Sequence, residues 1–354
     1  MRRCDVLVVG GGAIGSAAAW HLARRGVDVV LLDRFGPGHH NGSSHGATRI
    51  FRFAYADPAY VAMAQAALPL WRQLEEDSGE VLLETTGGLD IGSLETISAI
   101  EGALRNAGVE SERVVATEVA DRWPGIAVDG DGDHVLHCPD AGRIWSERTV
   151  QVLQSRAAHH GAEVRCDEPV LSFSSATGHA VTATDEYLAE TIVVTAGAWT
   201  PSLLEGTPEA EGLPDLEVTR EQTFHFRPFD DDLEWPAFIH HRPTGPLIYG
   251  LESPGEGIKV AEDHAGAITD PDDRSFEIDE IGRQRLIRYV SERLPGLDPK
   301  PVTELTCLYT STPDSNFVVE RRNRLVIGSA CSGHGFKFTP QTGLRLADLA
   351  TTKR

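Results

Sequence analysis

One short string constrains this chain more than any other: Gly10-Gly11-Gly12-Ala13-Ile14-Gly15, set between an apolar run and an amphipathic one. Residues 4–9 (Cys-Asp-Val-Leu-Val-Val) read as a buried parallel strand, and residues 13–25 carry Ile14, Ala17, Ala18 and Leu22 at helical spacing. Gly26 ends that helix, and residues 27–32 read as a second buried strand. Strand, glycine turn, helix and strand make a βαβ unit. Gly10 permits the tight turn, Gly12 lets a pyrophosphate approach the backbone, and Gly15 lets helix and strand pack closely. The helix start at Ala13 and Ile14 offers N–H donors and partial positive charge to phosphates. Asp33 ends the second strand, where a carboxylate accepts ribose hydroxyls. Arg34 is the kind of residue that takes a 2′-phosphate, but Asp33 would repel one. The chain therefore opens with a dinucleotide site; a glycine turn of purely structural use is the plainer alternative.

The 354 residues are too many for one simple core, so two closely packed domains are expected. Lys and Arg total 32 against 53 for Asp and Glu, a formal net charge of -21. Such a surface repels phosphate backbones and anionic lipid, so no nucleic acid and no membrane partner is expected. Five cysteines without a CxxC pair indicate neither a zinc site nor a dithiol, and no metal is expected. They read as reduced thiols in a cytoplasmic protein. Arg2 and Arg3 before an apolar stretch imitate an export signal, but the stretch resolves into strand, turn and helix. No apolar run reaches the roughly 18 residues that a spanning helix needs.

Further along, residues 58–76 read as a helix with Tyr60, Met63, Ala67, Leu70 and Leu74 on one stripe. Short strands at 82–84, 88–91 and 134–137, with a helix at 94–107, suggest a second, antiparallel domain. Residues 146–161 read as a helix capped by Ser146 with Glu147 in its first turn. Strands follow at 163–166, 169–174, 179–183 and 191–195. Alternating patterns between 217 and 309 read as a sheet interrupted by a helix at 277–293. Residues 324–328 return to the buried-strand type, and a helix at 340–350 closes the chain. The expected architecture is α/β: a Rossmann-type dinucleotide-binding domain (1–81, 142–216 and 315–354) with an interleaved antiparallel-sheet substrate domain (82–141 and 217–314).

Two more strings carry chemistry. Asn41-Gly42-Ser43-Ser44-His45-Gly46-Ala47-Thr48-Arg49-Ile50-Phe51-Arg52 places two arginines at a polar loop's edge in an acidic chain. A planar, bidentate guanidinium suits a carboxylate, although an ordinary salt-bridged pair is the plainer alternative. Ser332-Gly333-His334-Gly335-Phe336-Lys337-Phe338 is a second glycine loop aimed at a helix start, marked by Pro340.

With Trp123-Pro124-Gly125-Ile126, Thr195-Ala196-Gly197-Ala198-Trp199 and Leu305-Thr306-Cys307-Leu308-Tyr309, these strings resemble the monomeric sarcosine oxidase and N-methyltryptophan oxidase family, within the D-amino-acid-oxidase-like flavoproteins. The resemblance covers nearly the whole chain. It implies FAD as cofactor, contacted by the first glycine turn and Asp33, by Ser43, Ser44, His45 and Arg49, by Val170, Ala196, Gly197 and Trp199, and by Gly333, His334, Gly335, Phe336 and Lys337. The second glycine loop would then stabilise negative charge on the reduced flavin. Cys307 matches the cysteine bonded to the flavin 8α carbon. Lys259, in Gly257-Ile258-Lys259-Val260, matches the oxygen-activating lysine, a cation beside the superoxide formed there. Arg52 and Lys337 match the pair that holds the substrate carboxylate; Arg49 and His45 match residues beside the flavin ring; Tyr249 and Tyr309 match aromatic residues lining the substrate side. One departure stands out: the family often has a His four residues after the lysine, where this chain has Asp263, with His264 one later.

The implied activity is FAD-dependent oxidation of a carboxylate-bearing amine, secondary, N-methyl or cyclic, to an imine, with oxygen reduced to hydrogen peroxide. Its partners are the small amine and oxygen, and a monomer is expected. A flavin dehydrogenase using another acceptor, or a non-catalytic FAD-binding protein, are the alternatives. Reoxidation by air separates the first, and flavin that no amine bleaches marks the second.

Overall fold

The computed structural model describes residues 1–352. Its first sheet is built around five parallel strands. Arg2–Val9 lies at the centre, flanked by Val29–Leu32 and then Glu163–Arg165 on one side, and by Glu186–Val194 and then Leu325–Ser329 on the other. Numbered along the chain, that order is 3-2-1-4-5, the doubly wound arrangement whose crevice lies at the carboxyl ends of the central strands. Val170–Ser174, His179–Thr182 and Val318–Arg322 extend it through antiparallel pairings. Fully buried Leu7, Val8, Val30 and Leu31 explain why these strands read as continuous apolar runs.

The helix Ala13–Arg24 packs against this sheet and beneath the closing helix Thr339–Thr351. Small residues allow the approach: a Cβ on Gly343 would stand 2.5 Å from the Ala17 Cβ. Buried His21 donates from Nε2 to the Pro340 carbonyl at 2.9 Å, tying the last turn of the first helix to the start of the closing one.

The second sheet has nine strands, among them Glu217–Pro228, Ala237–His241, Ile248–Ser253, Gly257–Glu262 and the long Leu297–Ser311. It is antiparallel except at one junction, where Ala237–His241 runs parallel to Gly88–Gly92. Helix Glu280–Arg293 packs on it and is capped by Asp279, whose carboxylate accepts the Gly282 N–H at 2.7 Å.

Two expectations are corrected. Strand Leu83–Thr85 does not join the second sheet; it pairs with Gly142–Trp145, which also pairs with Thr48–Phe51, in a separate three-stranded sheet. Leu82 and Leu83 bury into the core of the first helices, and the Glu75 carboxylate accepts both their N–H groups, at 2.8 and 2.9 Å. Ser146 does not cap its helix. Trp145 holds that position, and the Ser146 hydroxyl instead donates to the Gly46 carbonyl at 2.5 Å, fastening the polar loop. Sequence reading also passed over the short helices Ala116–Arg122 and Thr200–Leu204. Among the described residues, no helix is long and apolar enough to cross a membrane.

Candidate active site

A cavity of about 670 Å³ runs between the two large sheets from the first glycine turn to the loop at 333–337. Every residue that the resemblance assigns to cofactor or substrate lines it except Gly15, which acts one layer beneath. A Cβ at Gly15 would come within 1.9 Å of the Gly10 carbonyl oxygen, and one at Gly10, whose φ is +107°, within 2.4 Å of the Thr195 oxygen. Helix and turn can close this tightly only with glycine there.

At this end the Asp33 carboxylate accepts the Gly11 N–H at 2.8 Å and the Phe35 N–H at 2.8 Å, which fixes it at the mouth of the turn. Gly12 has no side chain to cap the helix, and the Ser44 hydroxyl accepts the Ala13 N–H at 3.1 Å instead. Arg34 and the Trp199 indole both reach Asp272 Oδ1, each at 2.7 Å, closing the outer edge beside Ala196 and Gly197. Val170 lines the same wall, and Ile14 sits under the turn.

In the middle, Arg49 gathers the loop by donating to the carbonyls of Thr48 (2.9 Å), Ser43 (2.9 Å) and His45 (2.8 Å). The Ser43 hydroxyl crosses to the Leu308 carbonyl at 2.5 Å. His45 is buried with neither ring nitrogen hydrogen-bonded; burial, then Arg49, push it down to about 3, so it is neutral. The Lys259 ammonium donates to the Thr48 carbonyl, and burial, then Arg49, hold it well below its ordinary value. His225 faces it across the ladder, buried and pushed down to about 4. Buried Cys307 lies opposite Glu221, and burial raises its thiol to about 11.

At the far end, Arg52 and Lys337 converge on one side chain, Tyr55. The guanidinium carbon lies 4.1 Å and the ammonium nitrogen 5.6 Å from its ring centroid. Asp90 backs Arg52 at 3.4 Å and also meets His241 at 2.9 Å. Lys337 donates to the His334 carbonyl at 2.6 Å; burial, then Arg52, push it well below its ordinary value. Gly333, at φ +72°, leaves room for the Tyr309 ring, and a Cβ at Gly335 would fall 1.5 Å from the Ala330 carbonyl oxygen. Tyr249 and Tyr309 face the same space, and burial raises both phenols. Asp263 lines the cavity, and His264, at φ +53°, contacts its Oδ2 at 2.9 Å and packs against the Tyr309 ring, 5.3 Å between centroids. Asp90 and His225 escaped the sequence reading because only tertiary pairing brings them here; Tyr55, three residues after Arg52, carries no motif that marks it.

These residues fit FAD. A helix start with an anchored carboxylate stands at one end and a second glycine loop at the other. Between them are buried polar groups, among them the two unpartnered nitrogens of His45.

A family model described as FAD dependent oxidoreductase matches residues 5–349. Monomeric sarcosine oxidase from Bacillus sp. (strain NS-129) is 33% identical over 361 residues, covering 98% of this chain and 93% of that protein. The peroxisomal sarcosine oxidase of Homo sapiens is 32% identical over 362 residues, with 98% and 92% covered. Among solved structures, NikD, an unusual amino acid oxidase essential for nikkomycin biosynthesis, superposes with a TM-score of 0.89 at 28% identity, covering 99% of this chain and 94% of that one. The chain therefore belongs to the FAD dependent oxidoreductase family, and within it to the sarcosine oxidase-like enzymes.

Proposed function

We propose that the protein oxidises a small carboxylate-bearing amine to its imine, with oxygen as the final electron acceptor and hydrogen peroxide as product. The observation that carries this reading is the convergence of Arg52 and Lys337 on Tyr55 at the inner end of the cavity. They form a cationic pair in a chain of net charge -21. A carboxylate seated there meets a planar donor fork and an ammonium, and its approach favours the charged form of Lys337. FAD, when bound, supplies the two-electron acceptor for amine oxidation and passes the electrons on to oxygen. The chain supplies orientation and electrostatics. Tyr249 and Tyr309 wall the substrate side, Lys259 offers positive charge to oxygen as it is reduced, and the loop from Gly333 to Lys337, which lines the cavity, brings the Lys337 cation to the side where negative charge develops.

Cys307 is the proposed covalent anchor for FAD. Its buried, protonated thiol must lose a proton to react, and Arg49 and Lys259 both favour the thiolate. The segments 1–81, 142–216 and 315–354 are the proposed cofactor domain, to which Leu83–Thr85 also belongs by its pairing, and the rest of 82–141 with 217–314 is the proposed substrate domain. The protein is read as a cytoplasmic monomer.

The test is anaerobic titration of the yellow holoenzyme with N-methyl, cyclic and primary amino acids. At least one should bleach the flavin band. Arg52→Ala should weaken that bleaching by about 2–5 kcal/mol, while decarboxylated amines lose little. If every amine left the band untouched, the reading would fail. In the same preparation, acid precipitation should keep the colour with the chain; colour that is fully extracted would remove the Cys307 bond.

A further inference from the structure

His225 is a buried imidazole that the proposed reaction leaves unused. It stands directly opposite Lys259 in the antiparallel ladder between Glu217–Pro228 and Gly257–Glu262, so both side chains project from one face, and both line the cavity. Its Nδ1 is buried without a hydrogen-bond partner. Its Nε2 lies 3.3 Å from the carboxylate of Glu256, a side chain 40% exposed. A tight turn puts Glu256 there. Its N–H returns to the Ser253 carbonyl at 2.8 Å across Pro254 and Gly255, and Gly255 supplies the positive φ, +85°, that this place in a turn favours. Gly257 follows at φ +94°. A Cβ on it would stand 2.4 Å from the Phe226 carbonyl oxygen, so the turn folds closely over the strand that carries His225.

Lys259 has the complementary shortage. An ammonium carries three N–H donors, and among the described residues the Thr48 carbonyl is its one hydrogen-bond acceptor. Arg49 opposes its charge, the Glu256 carboxylate favours it, and Cys307 favours it only as a thiolate. Burial, then Lys259 and Arg49, keep the His225 ring neutral, and Thr303, opposite it on the ladder's other side, brings no charge. A neutral imidazole has one N–H and one bare nitrogen, and the partner of the first fixes which is which. A carboxylate beside Nε2 calls for the proton there, and Nδ1 is then an acceptor.

We infer that Glu256 holds His225 with its proton on Nε2, and that the bare Nδ1 is the second acceptor, directly or through one water, for the Lys259 ammonium. His225 and Glu256 are thus positioning residues. They act through Lys259, aiming its ammonium and keeping it charged in a place where burial opposes the charge. The use of that charge towards oxygen rests on the proposed function; the pairing does not.

The chain has four lysines, so holoenzyme labelled with ¹³C-lysine gives a readable titration of each Cε signal, and Lys259→Met assigns the one in question. His225→Phe and Glu256→Gln should each lower the Lys259 midpoint by about one pH unit. His225→Asn, whose carboxamide oxygen takes the place of Nδ1, should hold the wild-type midpoint. The pH at which reoxidation slows should move with the midpoint in each variant. An unchanged midpoint in His225→Phe would overturn the inference. A fall in Glu256→Gln with none in His225→Phe would mean that the carboxylate acts on Lys259 through space, and would overturn it as well. The tautomer is read without those variants: in ¹⁵N-histidine-labelled holoenzyme, with the signal assigned by its loss in His225→Asn, a proton on Nδ1 would overturn the inference. Midpoints that shift as stated while reoxidation does not follow would support the pairing and remove Lys259 from oxygen chemistry.

Discussion

At Lys259 the protein keeps an ammonium group where its surroundings oppose the charge. Burial and Arg49 both lower its proton affinity, and the Thr48 carbonyl is its hydrogen-bond acceptor. Such a group gains most when negative charge arrives beside it, which under the proposed function is the situation when oxygen takes its first electron. Lys259→Met should slow reoxidation of the reduced enzyme by oxygen far more than reduction by substrate. The loss should be about 2.7–4 kcal/mol of barrier, by analogy with a deleted oxyanion donor. In the wild type, reoxidation should slow as pH rises, and the fall should begin below the ordinary lysine value of 10.5, because the cation is the active form. Stopped-flow traces of the two half-reactions decide it: equal slowing of both would assign Lys259 to folding or substrate binding.

The loop and helix that close the cavity depend on space rather than on backbone freedom. Gly335 has an ordinary φ of -73°, yet any Cβ would strike the Ala330 carbonyl oxygen. Gly335→Ala should therefore cost about 1–3 kcal/mol through forced displacement of the turn, and should loosen FAD as well. Gly26→Ala is the control. Its φ of +75° is strained for alanine, but nothing lies within 4 Å of the added Cβ, so it should cost about 1–2 kcal/mol with FAD retention intact. Thermal midpoints and retained flavin absorbance measure both, and equal flavin loss in the two variants would refute the steric argument. The same contrast shows what was legible beforehand. Arg2–Val9 and Ala13–Arg24 announce themselves by periodicity, and Gly10, Asp33, Cys307 and Lys337 by motif or resemblance. The pairing partner of Leu83–Thr85 was not legible, because a three-residue strand takes its place from what its leucines bury against. Ser146 looked like a cap because the local rule knows nothing of the Gly46 carbonyl 100 positions away. Asp90 reaches Arg52 only through a contact between distant segments, which no spacing encodes.

Across the whole molecule, several histidines are buried uncharged. His21 and His225 are both pushed by burial from 6.5 to about 4. Between those values the unfolded chain binds more protons than the folded one, so stability falls as pH drops through that window. The maximum slope is about 1.4 kcal/mol per histidine per pH unit. Relief of self-repulsion in a chain of net charge -21 acts in the opposite direction, so His21→Gln isolates the effect. It keeps a donor for the Pro340 carbonyl, and should flatten the loss of urea midpoint between pH 7 and pH 5; an unchanged slope would exclude His21. The bond His21 makes has another consequence. It joins residues 319 positions apart and seats the closing helix on the helix that opens the dinucleotide turn. A polypeptide still on the ribosome has made Gly10 and Asp33 long before it has made Gly335 or Thr339–Thr351. The cradle is thus unfinished for most of synthesis, and loading of the cofactor waits for the late helix to dock.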